Sequence, residues 1–70
     1  MSDSIYRVTE VIGTSPTSWE EAAKNAVETA AKTLRDLRVG EVVRLDVTIE
    51  GGKVTNYRAR VNISFKYEGS

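Results

Sequence analysis

The run Lys53-Val54-Thr55-Asn56-Tyr57-Arg58-Ala59-Arg60-Val61-Asn62-Ile63-Ser64-Phe65-Lys66-Tyr67 decides the fold. Tyr57, Ala59, Val61, Ile63, Phe65 and Tyr67 alternate with Arg58, Arg60, Asn62, Ser64 and Lys66. Successive side chains of a strand point to opposite faces, so this period of two describes a strand with one buried face. Residues 41–50 alternate too, with Val43, Leu45, Val47 and Ile49 against Arg44, Asp46, Thr48 and Glu50. Gly51-Gly52 between the two runs marks a hairpin. A plain two-residue loop would pair Glu50 with Lys53 and set Leu45 opposite Arg58, mixing the faces. A buried face forbids that slip, so the pattern predicts a three- or four-residue loop, or a bulge, near the glycines. Either in-phase register puts Asp46 opposite or diagonal to Arg58.

Upstream lies a helix. Ser18-Trp19-Glu20-Glu21 fits a capping box, in which the Ser hydroxyl takes a first-turn N–H and Glu21 reaches back. Trp19, Ala22, Ala23, Ala26, Val27, Ala30, Ala31, Leu34 and Leu37 recur at spacings of three and four. Gly40 ends the pattern. Glu20–Lys24 and Glu28–Lys32 are favourably ordered pairs on the opposite face. The stripe is Ala through its middle, so whatever packs there comes close to the helix backbone. Trp19 reads as a core or interface anchor. Before the helix, Ile5 to Ile12 reads as a strand, with Tyr6, Val8 and Ile12 on one face and Glu10 interrupting it. Gly13 to Thr17, containing Pro16, reads as a turn. The fold class is α+β, in the order β-α-β-β. One amphipathic helix covers one face of a three-stranded antiparallel sheet, in a single domain over residues 1–70.

Composition bounds what such a domain can do. The chain has 70 residues, ten Lys and Arg against ten Asp and Glu, and neither Cys nor His. Zero net charge weighs against a strongly basic nucleic-acid binder. Without Cys there is no disulfide or thiolate zinc site, and without His the commonest general base and metal ligand are missing. Ser and Thr hydroxyls lack an activating base, and the lysines sit at polar positions, so an enzyme is not expected. No apolar run is long enough to span a bilayer. Met1-Ser2-Asp3-Ser4 lacks the basic and apolar segments of a secretory signal, so a cytoplasmic protein is expected. A domain below ~70–80 residues needs a staple, and here oligomerisation or a ligand is what remains.

The polar face of the hairpin is the surface that could carry function. It holds Arg44, Asp46, Glu50, Arg58, Arg60, Asn62, Ser64 and Lys66. The plain reading is a solvated face with cross-strand ion pairs. A nucleic-acid reading would use Arg58, Arg60 and Lys66 on a β-ribbon, but Glu41, Asp46 and Glu50 lie near them and no stacking aromatics are placed there. As metal ligands, Asp46, Glu41 and Glu50 are ordinary surface acids in one chain. Near a threefold axis a single carboxylate becomes three oxygen ligands.

The chain as a whole resembles the dodecin family. The resemblance rests on the element order, Tyr6-Arg7-Val8, Val11-Ile12-Gly13-Thr14-Ser15-Pro16, Thr33-Leu34-Arg35, Glu41-Val42, Tyr57 and Phe65. It implies a hollow homododecamer with the charged hairpin face toward the cavity, and non-catalytic sequestration or buffering of a small ligand. By position matching it implies ligand contacts at Val39, Glu41, Asp46 and Arg58. Flavin-binding dodecins carry a Trp just after the helix that stacks on the flavin, and a Gln after the strand Tyr that pairs with the ring's polar edge. Here those positions are Val39, which has no π face, and Arg58, which can only donate. The runs Thr14 to Glu20, Arg38-Val39 and Ile63 to Lys66 look more like the branch described as calcium dodecins. The expectation is therefore a cage for a small ligand or ion, with calcium as candidate and Asp46 and Glu50 as its candidate ligands. Flavin binding through a rearranged site, with Arg58 holding the flavin, is the alternative; nucleic acid on the third strand is a more distant one.

Overall fold

The computed structural model describes residues 5–66. They form β1 (Tyr6–Ser15), α1 (Trp19–Ala30), β2 (Leu37–Glu50) and β3 (Lys53–Lys66). The sheet is antiparallel throughout, in the order β1-β3-β2. The expected order β-α-β-β and the three-stranded sheet partly wrapped around one helix are what the chain adopts. Tyr67, the last member of the alternating run, lies outside the described residues, as do Met1 to Ser4.

The hairpin closes with Glu50 opposite Lys53 across Gly51-Gly52. Both glycines have positive φ, 58° and 77°, which a two-residue turn matching strand twist requires. The loop is thus shorter than three or four residues, and the bulge restores the phase. Thr48 pairs with Asn56 and Ile49 with Val54, leaving Thr55 as the extra residue. Its Oγ1 lies 2.6 Å from Thr48 Oγ1. Downstream, Val47 faces Tyr57, Leu45 faces Ala59, and Asp46 sits directly opposite Arg58. A second irregularity at Val43 shifts the phase again, so Val42, not Val43, stands opposite the buried Val61.

Two boundaries differ from the sequence pattern. β1 continues through Gly13 to Ser15 where a turn was expected. The helix ends at Ala30, and the chain coils through Ala31 to Leu34 before entering β2 at Leu37. Asp36 takes a left-handed φ of 58°, which an Asp tolerates better than most residues, and its carbonyl accepts from the Lys66 N–H at 3.2 Å. That redirection turns the chain into the sheet. Leu34 and Leu37 still pack on the core, but from the connection and the strand, and Gly40 lies inside β2. The Glu20–Lys24 and Glu28–Lys32 pairs form no ion pair.

The helix start follows the predicted cap in part. Ser18 Oγ accepts from the Glu21 N–H at 3.1 Å. The Glu21 carboxylate, instead of reaching back to the cap, accepts from the hydroxyl of buried Ser15. Ser15 Oγ also accepts from the Thr17 N–H at 2.9 Å, so one hydroxyl ties the end of β1 to the first turn of α1.

The core is small. Ala22, Ala26 and Ala30 of α1 meet Ala59, Val61 and Ile63 of β3. The helix packs chiefly on β1 and β3 and barely touches β2. Val42, Leu45 and Trp19 therefore remain exposed on the helix side, and Tyr6, Val8 and Ile12 on the other. The radius of gyration is 14.5 Å in a body of 56 × 20 × 15 Å. A compact 70-residue domain would measure about 11 Å. The long hairpin outruns the single helix that could cover it.

Candidate functional site

Strand pairing arranges the face away from the helix in rows across the three strands. Val8, Ser64 and Val39 form one; Glu10, Asn62 and Glu41 the next; Ile12, Arg60 and Arg44 the third; Thr14, Arg58 and Asp46 the fourth. Each row follows from the period of two plus the bulge at Val43.

The fourth row holds the best-formed contact. Arg58 donates through Nε and Nη2 to the two Asp46 carboxylate oxygens, each at 2.7 Å. This is the bidentate fork that makes Arg–carboxylate pairs geometrically specific. The pair is fixed from the other side of the sheet, where Trp19 Nε1 donates to the Asp46 carbonyl at 3.0 Å. The Trp19 ring meets Tyr57, the neighbour of Arg58, edge to face at 5.1 Å. Trp19 is thus an anchor between α1 and the hairpin, and stays 39% exposed.

The hydrogen bond from Arg58 holds the Asp46 carboxyl below its usual 3.8; desolvation opposes it, and the charges of Arg58, Arg60 and Arg44 add to it. The same bond raises Arg58. A carboxyl depressed in the folded state stabilises above its unfolded pKa, and that contribution is lost as pH falls through the folded value. Asp46→Asn should therefore flatten the acid limb of the stability profile below about pH 4, measured by urea unfolding across pH. An unchanged limb would mean the pair contributes nothing.

The expected ligand residues separate into two groups within one chain. Asp46 and Arg58 are together. Val39 lies opposite Ser64, six residues along β3 from Arg58, or about 20 Å at strand rise. Val39 is 62% exposed, and Glu41 lies opposite Asn62 two residues further in. The metal candidates are not brought together either. Glu50 stands at the turn opposite Lys53, four residues beyond Asp46. Among the described residues no three of Asp, Glu, His and Cys cluster as a metal site. For the third-strand cations, Arg58 is held by Asp46 and Arg60 reaches Glu10 at 3.3 Å, so two of the three that a ribbon would present carry a carboxylate partner. The Glu10 partnership was not visible in sequence, because it joins residues 50 apart in the chain.

A β-α-β-β chain of this size, with an alanine-lined helix in the curve of a three-stranded sheet and a charged open face, defines the dodecin type of fold. The Dodecin family model matches residues 5–68. The chain belongs to that family. It is 47% identical over 64 residues to the calcium dodecin of Mycobacterium tuberculosis (strain ATCC 25618 / H37Rv), covering 90% of this chain and 89% of that one. Among solved structures, dodecin from Streptomyces coelicolor matches with a TM-score of 0.92 at 43% identity, covering all of both chains. The M. tuberculosis calcium dodecin, described as a calcium chelating immunodominant antigen with a novel calcium-binding site, matches with a TM-score of 0.82 at 43% identity, covering 94% of each chain.

Proposed function

We propose that the chain assembles into a hollow homododecamer that sequesters or buffers a small ligand or ion without catalysis, and that the ion is calcium. The observation that carries this reading is the 47% identity to a calcium dodecin. Three features support it. Apolar side chains are exposed on both faces of a chain with a six-residue buried core, as expected of a protomer completed by its neighbours. The residues matched to the ligand site stand ~20 Å apart in one chain, so only neighbouring copies could bring them together. Val39 and Arg58 replace the groups that would stack on and pair with a flavin. With no His or Cys in the chain, the non-catalytic reading needs no further group. No described helix is long and apolar enough to cross a membrane, and we place the assembly in the cytoplasm.

The calcium ligands in this proposal are carboxylates repeated by symmetry, from Asp46, Glu50 and Glu41. Asp46 already serves Arg58, so calcium there would compete with a guanidinium fork. Glu41 and Glu50 have no such partner among the described residues.

Native mass spectrometry tests assembly and cargo together. Twelve 7.7 kDa chains give a shell of about 92 kDa. A peak there carrying calcium that a chelator removes is expected. A monomer or dimer overturns the cage, and a shell that never takes up calcium overturns the ion. Flavin is the second reading, favoured only by Arg58 as a donor. Micromolar quenching of riboflavin fluorescence by the unaltered protein would move it first.

A further inference from the structure

Two arginines stand face to face on the open side of the sheet. Arg44 of β2 pairs in register with Arg60 of β3, and like charges directly opposite one another repel. Arg60 is partly compensated by Glu10 at 3.3 Å. Among the described residues Arg44 has no ion pair or hydrogen bond, and Glu41, across the Val43 bulge, does not pair with it. The adjacent row supplies a third guanidinium. Arg58 spends its Nε and Nη2 on Asp46, which leaves donors of the fork on Nη1. Three cations thus face Asp46 and Glu10, which are ion-paired, and Glu41, which is not among the described residues, with Ile12 as an apolar shoulder in the same row as Arg44 and Arg60. Of the three arginines, Arg44 is the one with no described carboxylate bonded to it.

We infer that Arg44 and Arg60 form an oxyanion site that takes a multiply charged phosphate-class ligand. Guanidinium forks match phosphate oxygens bidentately, and two forks on neighbouring strands can share one such group. A ligand there converts the repulsion between the two arginines into attraction on both sides. A single negative charge would satisfy only one of them, which selects for phosphate or pyrophosphate over a monocarboxylate. The inference does not depend on calcium, since the site uses none of the carboxylates assigned to that ion except as neighbours.

The test titrates pyrophosphate into the assembled full-length protein by calorimetry, with chelator present and at low ionic strength, because exposed charges are screened by salt. Arg44→Gln and Arg60→Gln should each weaken binding by about tenfold or more, the loss of one charge-assisted contact. Lys53→Gln, at the remote turn, should leave it unchanged, and acetate should bind far more weakly. Equal losses in all three variants would mean diffuse charge attraction and overturn the site. Unchanged affinity in Arg44→Gln would overturn it as well. A stability reading guards against misfolding: without ligand Arg44→Gln should raise the urea midpoint by relieving the repulsion, and with pyrophosphate only the unaltered protein should gain. If Arg44→Gln fails to assemble, Arg44→Lys keeps the charge and removes the fork, and undiminished binding there would overturn the proposal. Failure of calcium to bind would leave these results as they stand.

Discussion

Gly13→Ala should unfold the protomer or prevent its assembly, with no folded species of native mass at ordinary temperature. A Cβ at position 13 would lie 2.0 Å from the Ala22 carbonyl oxygen and 2.8 Å from both Ala26 Cβ and Ala26 N. Two of these atoms belong to the helix backbone, and none is the end of a flexible side chain that could swing aside. Overpacking commonly costs ~1–3 kcal/mol and more where nothing can give. A core of six small apolar residues has little to lose, since domains of this size hold ~3–5 kcal/mol in all. To admit the methyl group, α1 would have to lift from β1, which would also strain the Ser15–Glu21 tie and the Asn25 Nδ2 bond to the Thr14 carbonyl. Gly40→Ala is the matched control. There the new atom would meet Val61 Cγ1 at 3.4 Å and Val27 Cγ2 at 3.5 Å, ordinary contact distances to side chains. Urea unfolding should place Gly40→Ala within about 1 kcal/mol of the unaltered protein. If Gly13→Ala matched it, the helix would not be seated on β1 at this distance.

The same glycine shows what the sequence made legible. The run of Ala22, Ala26 and Ala30 announced a close approach to the helix backbone, because only small side chains leave room for it. It did not say which element approaches. Gly13, three residues before Pro16, carries the signature of a turn, and nothing local distinguishes a turn glycine from one pressed under a helix. The hairpin was different. Its period of two fixed which residues share a face, and hence that Asp46 and Arg58 could meet. The bulge at Thr55 was anticipated because a plain turn would have inverted the faces, whereas the one at Val43 was hidden within a run of two valines. The helix end was hidden for a related reason. Leu34 and Leu37 keep the helical spacing while already serving the turn and the strand, and the left-handed Asp36 between them leaves no mark in a hydrophobic pattern. Pairings of long sequence separation, such as Glu10 with Arg60, exist only once β1 is laid beside β3.

Val39→Trp combined with Arg58→Gln should confer micromolar riboflavin binding on an assembly that otherwise lacks it, read as quenching of flavin fluorescence. The family resemblance implies a Trp at the first position and a Gln at the second in flavin binders, and each substitution restores one missing chemistry. Position 39 is 62% exposed on the open face and opposite Ser64, so an indole can be accommodated there without entering the core. A flat aromatic stack is worth about 1–3 kcal/mol per ring face. Stacking on both sides of a flavin pair therefore amounts to about 2–6 kcal/mol, a factor of roughly thirty to twenty thousand in affinity. Arg58→Gln supplies an acceptor where the guanidinium offers donors alone, and it also frees Asp46 from its fork. That carboxylate is more than a third exposed, so it can be hydrated once unpaired. Val39→Trp alone should bind more weakly than the double variant, and Arg58→Gln alone should scarcely bind, because the amide orients a ring that nothing else holds. If the double variant reached the native mass of the unaltered shell yet left riboflavin fluorescence untouched, the barrier to flavin would lie elsewhere, and the reading of positions 39 and 58 would fail. Quenching by the double variant and not by its parent would mean that two side chains on a shared shell divide a flavin-stacking dodecin from one whose open face is given over to charge.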